Sequence, residues 1–270
     1  MQNPNKILII IQARRGSSRL NEKILLPLCG KELILRMVER VRASIYGRNI
    51  VIATTLKKED DVLVELCKRE GILYFRGDEF DLLERHYHAS LYFDADIVAK
   101  IPSDCPLIDP KIIDKVFDYF FNNFYKYDYV SNLHPATYPD GNDIEIMKID
   151  TLEAAWKNAR EDYQREHTTP YIWDNPDKFS IGNVEWETGM DYSMSHRFTI
   201  DYLEDYKFIK RVFEELYPVK PLFGLKDILT LIDKQIPEIK EINKKYNGVN
   251  WYRNHFNELK TIAQEQTKFI

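Results

Sequence analysis

Residues 6–12 of the chain, Lys-Ile-Leu-Ile-Ile-Ile-Gln, form an unbroken apolar run between polar ends. A run of this kind predicts a strand that is buried on both faces, as in a parallel sheet. Similar runs recur downstream at residues 49–54, 72–75 and 96–101. Segments with apolar residues at helical spacing separate them, at residues 32–44, 59–70 and 81–92. This alternation of strand and helix predicts an α/β fold, a doubly wound sheet with helices on both faces.

The pattern changes after residue 124. Just before the change, Asp109 and Pro110 suit the N-cap and the first position of a helix. Strands or extended segments are then predicted at residues 127–131, 143–149, 178–184 and 197–200, and helices at residues 150–160 and 201–217. We expect one α/β domain over residues 1–217 and a helical C-terminal extension, rich in Lys and Glu, over residues 218–270.

The composition limits the possible classes of protein. The chain has 38 Lys and Arg against 43 Asp and Glu, and the resulting charge of −5 argues against a dedicated nucleic-acid binder. It contains no apolar run of about 18 residues, so we expect no membrane-spanning helix. Its three cysteines, Cys29, Cys67 and Cys105, are far apart and form no Cys-x-x-Cys motif. We therefore expect reduced thiols in a cytoplasmic protein.

A basic loop follows the first predicted strand, at the edge where open α/β sheets bind ligands. Residues 12–23 contain a Gly16-Ser17-Ser18 core surrounded by four cations, namely Arg14, Arg15, Arg19 and Lys23. Backbone N–H groups and hydroxyls there could bind phosphates while the cations neutralise charge. The loop matches neither the Walker A nor the Gly-x-Gly-x-x-Gly pattern. The alternative is a solvated basic loop.

Two aspartates that follow predicted strands are candidate ligands of a metal ion. Asp104 comes just after the strand at residues 96–101, and Asp201 follows the apolar segment 197–200. One or two carboxylates together with substrate phosphates are a usual environment for Mg²⁺. The alternatives are a turn at Asp104 and a helix N-cap at Asp201.

Two later polar blocks are candidates for contact with a second substrate. In the first, Asp140 belongs to a Pro-Asp-Gly turn, and Asp143 and Glu145 share one face of the strand that follows. The second block contains Arg165 and His167. A solvated strand face and a structural histidine are the alternatives.

Several motifs together resemble the cytidylyltransferase family, which includes 3-deoxy-manno-octulosonate and acylneuraminate cytidylyltransferases, and most of all its spore-coat polysaccharide branch. Residues 13–23 are similar to the family's A-R-x-x-S-[ST]-R-L-P-x-K, with Asn21 in place of proline. Residues 103–108, Ser-Asp-Cys-Pro-Leu-Ile, resemble its G-D-x-P-L-I. Shorter matches lie at residues 27–31, 51–55, 138–141, 165–172 and 199–201.

The resemblance implies a Rossmann-like nucleotidyltransferase that transfers CMP from CTP to an acceptor and releases pyrophosphate. The acceptor would be an anionic small molecule, a sugar acid or a phosphorylated compound, in surface polysaccharide biosynthesis. The implied nucleotide-binding residues are Ala13, Arg14, Arg15, Gly16, Ser17, Arg19, Lys23, Thr54, Ser103 and Asp104. The implied catalytic residues are Arg14, Lys23, Asp104 and Asp201, the last two as ligands of Mg²⁺. The predicted acceptor contacts are Asp140, Asp143, Glu145, Arg165 and His167.

The resemblance also implies a homodimer in which residues 127–200 help to build the interface and the acceptor pocket. Two alternatives stay open. One is a nucleotidyltransferase that uses another nucleoside triphosphate with a sugar phosphate, and the other is a non-catalytic protein that binds a nucleotide sugar. The cation cluster of the loop favours a triphosphate, because more charge needs neutralising there. Neither a nucleic-acid nor a membrane partner is expected.

Overall fold

The strands of the protein form one large sheet and one short hairpin. The structure, a computed structural model, describes residues 6–17 and 19–249. Within these ranges the strands are β1 (Ile7–Gln12), β2 (Pro27–Leu28), β3 (Lys31–Glu32), β4 (Ile50–Thr55), β5 (Leu73–Gly77), β6 (Ile97–Pro102), β7 (Tyr129–Ser131), β8 (Glu145–Lys148) and β9 (Ile181–Asn183). The hairpin pairs β2 with β3, and the other strands form the sheet in the order β5-β4-β1-β6-β8-β7-β9.

The first half of the sheet is parallel, as the sequence predicts. β1 pairs in parallel with both β4 and β6, and β4 pairs in parallel with β5. β8 runs antiparallel to β6 and β7, and β9 is parallel to β7. Gln12 at the end of β1 is in register with Ala53 on β4 and Pro102 on β6. The loops that follow these strands therefore leave the sheet side by side.

Helices cover both faces of the sheet. In the described residues they are α1 (Leu33–Arg42), α2 (Asp61–Glu70), α3 (Leu82–Tyr92), α4 (Pro110–Asn122), α5 (Ile149–Asn158), α6 (Asp162–His167), α7 (Pro170–Trp173), α8 (Leu203–Leu216) and α9 (Leu225–Thr230). α1, α2, α4 and α8 pack into one hydrophobic cluster, and α3, α5 and α7 pack into the other.

The unbroken apolar run of β1 follows from this two-sided cover. Ile9 and Ile11 pack into the cluster of α1 and α4, whereas Leu8 and Ile10 pack into the cluster of α3 and α5. Because successive side chains of a strand point to opposite faces, every position of such a strand must be apolar. The predicted α/β class is confirmed.

Three segments near the polar blocks differ from the prediction. Residues 197–200 form no strand: Arg197 makes a single bridge with Asp140, and α8 begins only at Leu203. Arg165 and His167 belong to the short helix α6, which the hydrophobic pattern does not indicate because it has only 6 residues. The strand predicted at residues 143–149 is present, but β8 is shorter than predicted, and α5 already begins at Ile149.

The C-terminal extension consists of short helical turns as far as the structure describes it. After α9 come a π-helical turn at Leu231–Gln235 and 3₁₀ turns at Pro237–Glu241 and Lys244–Tyr246. Phe223, Ile228 and Ile239 of this segment are buried in the same cluster as α1 and α8. The rest of the predicted helical extension, residues 250–270 with the aromatic residues Trp251, Tyr252 and Phe256, lies outside the described residues. Within residues 6–17 and 19–249, none of the helices combines the length and apolar character needed to cross a membrane.

Candidate active site

A cavity of about 410 Å³ lies at the carboxyl ends of β1 and β6. The final residues of these strands, Gln12 and Pro102, form part of its wall. Seven of the residues predicted from the sequence also line it, namely Arg19, Asp104, Asp140, Asp143, Glu145, His167 and Asp201. The fold thus brings together groups that are up to 182 positions apart in the chain.

Lys23 connects the first-strand loop to both candidate metal ligands. It lies in a 3₁₀ turn, and its Nζ is 3.0 Å from Asp201 Oδ1 and 3.9 Å from Asp104 Oδ2. The same Nζ donates to the carbonyl of Ile200 at 2.7 Å. Arg19 Nη2 adds a second cation, 2.8 Å from Asp201 Oδ1. The basic loop is therefore more than a solvated surface segment.

These cations keep Asp201 charged. Burial by itself would raise the pKa of Asp201, but the charges of Lys23 and Arg19, with the hydrogen bond from Lys23, hold that pKa below its ordinary value. Asp201 is not the N-cap of α8, which is Tyr202. Instead Asp205 accepts from the N–H groups of Asp201 and Tyr202, at 3.0 Å each.

The opposite wall carries carboxyl groups that do not ionise easily. Burial, with the charges of Asp104 and Glu145, raises the pKa of Asp143 to about 7. Burial and the charge of Asp143 raise the pKa of Asp140 well above its ordinary value, against the opposing effect of Arg197. In both groups, burial and the neighbouring carboxylates together outweigh the effect of the nearby cations.

The donor set at the cavity mouth fits Mg²⁺. In the described ranges, groups of three or more His, Cys, Asp or Glu side chains that could hold a metal ion are absent. Asp104 and Asp201 nevertheless supply two hard oxygen donors, and Mg²⁺ commonly takes only one or two carboxylates beside phosphates and water. Asp140 and Asp143 line the same cavity, and a bound cation there would favour the ionised form of both carboxyl groups.

Other predicted nucleotide-binding residues lie beside the cavity rather than on its wall. Arg14 Nη1 is 3.1 Å from Glu79 Oε1, and Arg15 Nε donates to Glu22 Oε1 at 2.7 Å. The remaining members of this set are Ala13, which is buried, Gly16 and Ser17 in the loop, Thr54, which is fully buried, and Ser103. The loop cations that do not reach Asp201 are thus held by carboxylates of their own.

The predicted acceptor residues divide into two groups. Asp140, Asp143, Glu145 and His167 line the cavity. Arg165 does not: it forms an ion pair with Asp81, lies 3.8 Å from Glu84 and donates to the carbonyl of Trp156 at 3.0 Å. Its charge ties α6 to α3, and the structure places it away from the pocket in which the sequence predicts it.

Glu145 is the centre of a buried network at the floor of the cavity. Lys100 Nζ donates to Glu145 Oε1 at 2.6 Å, and the hydroxyl of Tyr129 donates to Glu145 Oε2 at 2.6 Å. Trp173 Nε1 donates to that hydroxyl at 2.9 Å. Burial would raise the pKa of Glu145, but Lys100, together with hydrogen bonds from Thr169 and Tyr129, holds that pKa below its ordinary value. Lys100 is missing from the predicted site, although a single lysine inside an apolar strand is a signal that could have found it.

Arg197 is the second residue that the sequence prediction misses. It is 2% exposed, and each of its five N–H groups has an acceptor. Nε and Nη2 donate to the two oxygens of Asp205 at 2.9 and 3.1 Å, and Nη2 also donates to Asp201 Oδ2 at 3.1 Å. Nη1 donates to Asp140 Oδ2 at 3.3 Å and to the carbonyl of Val249 at 2.6 Å. One guanidinium therefore holds both walls of the cavity and the C-terminal extension together.

Comparison with known proteins places the chain in a family. The model of the family described as "Cytidylyltransferase" matches residues 8–246. An uncharacterized protein of Methanocaldococcus jannaschii is 39% identical over 88% of this chain and 94% of its own length. The spore coat polysaccharide biosynthesis protein SpsF of Bacillus subtilis is 32% identical over 85% of this chain and 95% of its own.

A solved structure agrees with these matches. A cytidylyltransferase from Leptospira borgpetersenii superimposes with a TM-score of 0.81 at 36% identity, covering 87% of this chain and 96% of that one. The chain belongs to the cytidylyltransferase family and is a nucleotidyltransferase.

Proposed function

We propose that this protein transfers CMP from CTP to a small-molecule acceptor, with release of pyrophosphate, in the cytoplasm and in the biosynthesis of a surface polysaccharide. The observation that carries the proposal is the meeting of Lys23 and Arg19 with Asp104 and Asp201 at the mouth of the cavity. Phosphoryl transfer needs positioned cations and charge neutralisation more than a covalent nucleophile, and this arrangement supplies them. The Bacillus subtilis relative is named as a spore coat polysaccharide biosynthesis protein, which supports the polysaccharide context.

The triphosphate would lie across the first-strand loop. Lys23 and Arg19 would exchange their contact with Asp201 for phosphate oxygens, and Arg14 and Arg15 would do the same with Glu79 and Glu22. Mg²⁺ bound by Asp104 and Asp201 would supply the charge that neutralises the α-phosphate during attack. Arg197 would keep Asp201 in place, because its bond reaches Oδ2 while Lys23 and Arg19 reach Oδ1.

The acceptor would occupy the rest of the cavity. Its walls offer hydrogen-bond acceptors to the hydroxyl groups of a substrate. These acceptors are the carboxyl groups of Asp140 and Asp143 and Oε1 of Gln12, which is buried without a hydrogen-bond partner among the described residues. Arg165 is too far removed to bind an anionic group there. We therefore propose a sugar acid or a phosphorylated polyol whose anionic group lies toward Arg19 and whose hydroxyls face the acidic wall.

Pyrophosphate release tests the proposal directly. The purified protein with Mg²⁺ is assayed with each of the four nucleoside triphosphates against a panel of sugar acids and phosphorylated polyols, and CTP is expected to support release with at least one acceptor. Turnover with another nucleotide alone would favour the alternative nucleotidyltransferase. Nucleotide binding without release from any combination would favour the non-catalytic binding protein.

A matched pair of variants assigns the activity to this site. Lys23→Met removes the cation between Asp104 and Asp201 and is expected to lower the rate on the order of 10²–10³-fold, as removal of one charge-stabilising contact does. Lys68→Met changes an exposed lysine that pairs with Glu65 on α2, and we expect wild-type activity. Equal activity of the two variants would contradict the proposed role of Lys23.

We also propose a homodimer, with residues 127–200 at the interface. Light scattering of the purified protein gives the mass in solution, and a mass of twice 32.1 kDa is expected. A monomeric mass at micromolar concentration would contradict it.

A further inference from the structure

A strained turn joins α6 to α7 beneath the cavity. Thr168 has φ 75° and ψ −51°, and the N–H of Thr169 donates to the carbonyl of His167 at 2.9 Å. This is a γ-turn with a positive φ at its centre, a conformation that is rare and strained. A residue with a branched Cβ, such as threonine, avoids it most strongly. Thr168 is also fully buried, so the strain is not relieved by contact with solvent.

Buried groups from three other elements hold this turn in place. Lys100 of β6 donates to the carbonyl of His167 at 3.0 Å while it pairs with Glu145 of β8. The same carbonyl therefore accepts two hydrogen bonds. On the other side, Thr168 Oγ1 is 3.4 Å from Nδ1 of His86, a fully buried residue of α3. A strained backbone persists only where its surroundings fix it in this way.

The turn determines where His167 points. His167 is one of the residues that line the cavity, and α7 begins only three positions later, at Pro170. A relaxed turn at Thr168 would rotate the peptide that carries the His167 carbonyl and would break its bond to Lys100. Strained backbone of this kind is concentrated at functional sites, where it fixes the geometry of a side chain.

We infer that the γ-turn at Thr168, fixed by Lys100, is a positioning device that presents the imidazole of His167 to the acceptor. Thr168 and Lys100 are positioning residues in this scheme, and His167 is the group that contacts the acceptor. The inference rests on the proposed function for the identity of the bound molecule, but the fixed orientation of His167 is a property of the protein alone.

Two substitutions at Thr168 separate positioning from a structural role. Thr168→Ala removes the side chain and keeps a Cβ, so the neighbours still define the turn. Thr168→Gly removes the strain as well, because glycine adopts positive φ without cost, and lets the turn explore other conformations. We expect the melting temperature of Thr168→Gly to exceed that of Thr168→Ala by about 2–4 °C. We expect the opposite order for activity, with kcat/KM for the acceptor lower in Thr168→Gly by about 10–100-fold.

A purely structural role of Thr168 would not produce opposite orders of melting temperature and kcat/KM in the two variants. With such a role, the more stable variant would also be the more active one. Asp94 gives a matched control, because it also has a positive φ, 54°, but lies in the turn between α3 and β6. Asp94→Gly and Asp94→Ala should show the same order of melting temperatures and equal kcat/KM. If activity follows stability at Thr168, the inference is wrong.

A measurement without turnover keeps the inference separate from the proposed function. The ring resonances of His167 in ¹H–¹³C spectra, assigned by their loss in His167→Asn, report whether the imidazole has one orientation. Thr168→Gly is expected to shift or broaden them, and Thr168→Ala to leave them near their wild-type positions. Unchanged resonances in Thr168→Gly would overturn the inference even if transferase activity is found. Absence of transferase activity would contradict the proposed function and leave the spectral result standing.

Discussion

Replacement of Arg197 by lysine tests how far the candidate site depends on one guanidinium. Arg197 donates five hydrogen bonds, to Asp140, Asp201, Asp205 and the carbonyl of Val249. Lysine keeps the positive charge, but it has only three donors on one atom and cannot bind a carboxylate through a planar fork. At least two of the five bonds are therefore lost in Arg197→Lys.

The expected loss of stability follows from the burial of these partners. A hydrogen bond to a charged group contributes about 1.5–3 kcal/mol, so two of them give roughly 3–6 kcal/mol. Lysine still neutralises part of the charge of the fully buried Asp205, so the lower end applies, about 3 kcal/mol. For a chain of this length that corresponds to a melting temperature lower by about 6–12 °C.

Urea unfolding followed by circular dichroism measures the change. Arg211→Lys on α8 is the control, because Arg211 forms an exposed pair with Glu215, its side chain being 48% exposed. Exposed pairs contribute little, and we expect its free energy of unfolding to stay within about 0.5 kcal/mol of wild type. A loss below about 1 kcal/mol in Arg197→Lys would refute the argument that the guanidinium geometry is required.

Three further changes test other parts of the structure. Asp104→Asn should lower pyrophosphate release on the order of 10²–10³-fold with an unchanged melting temperature, and wild-type release would exclude Asp104 from the site. Gly141→Ala should lower the free energy of unfolding by about 2 kcal/mol more than Gly189→Ala in urea titrations, because both have positive φ but only the first Cβ would lie 2.7 Å from the backbone of Phe198. Equal losses would show that the close approach does not matter. Burial lowers the pKa of His86 from 6.5 to about 3, so below pH 6.5 the unfolded state binds a proton that the folded state does not bind. When the pH falls from 7 to 5, the free energy of unfolding of His86→Asn should therefore decrease by about 2 kcal/mol less than that of wild type. Parallel plots of unfolding free energy against pH for the two proteins would contradict this expectation.

The sequence predicts the sheet well because its signal is local. Ile9 and Ile11 face one layer of helices and Leu8 and Ile10 the other, so a strand covered on both sides is apolar at every position. Asp104 and Lys23 are predicted for a related reason, since the carboxyl ends of parallel strands meet at one edge. These arguments need only the order of elements, which the spacing of apolar residues provides.

The site residues that the prediction misses or misplaces depend on distant partners. Arg197 bonds to Asp140 and Val249, which are 57 and 52 positions away, and Arg165 pairs with Asp81 at a distance of 84 positions. A charged residue in a polar block can face a cavity or a neighbouring helix, and the sequence pattern is the same in both cases. Only the packing of α6 on α3 turns Arg165 away from the cavity.

The charges around the loop bear on how a chain with a net charge of −5 would bind the triphosphate of the proposed function. Each loop cation is already paired, Arg14 with Glu79, Arg15 with Glu22, and Arg19 and Lys23 with Asp201. In the proposed function, binding of a triphosphate would exchange these carboxylates for phosphate oxygens. Glu22, whose side chain is 40% exposed, can be hydrated again when it is released, and Glu79 keeps its ion pair with Lys57. The side chain of Asp201 is only 12% exposed, so water cannot replace the cations that it would lose. Asp201 therefore needs a cation that does not leave with the nucleotide. The buried guanidinium of Arg197, which bonds to the other oxygen of Asp201, meets that need, because its remaining donors are held by Asp205, Asp140 and the carbonyl of Val249.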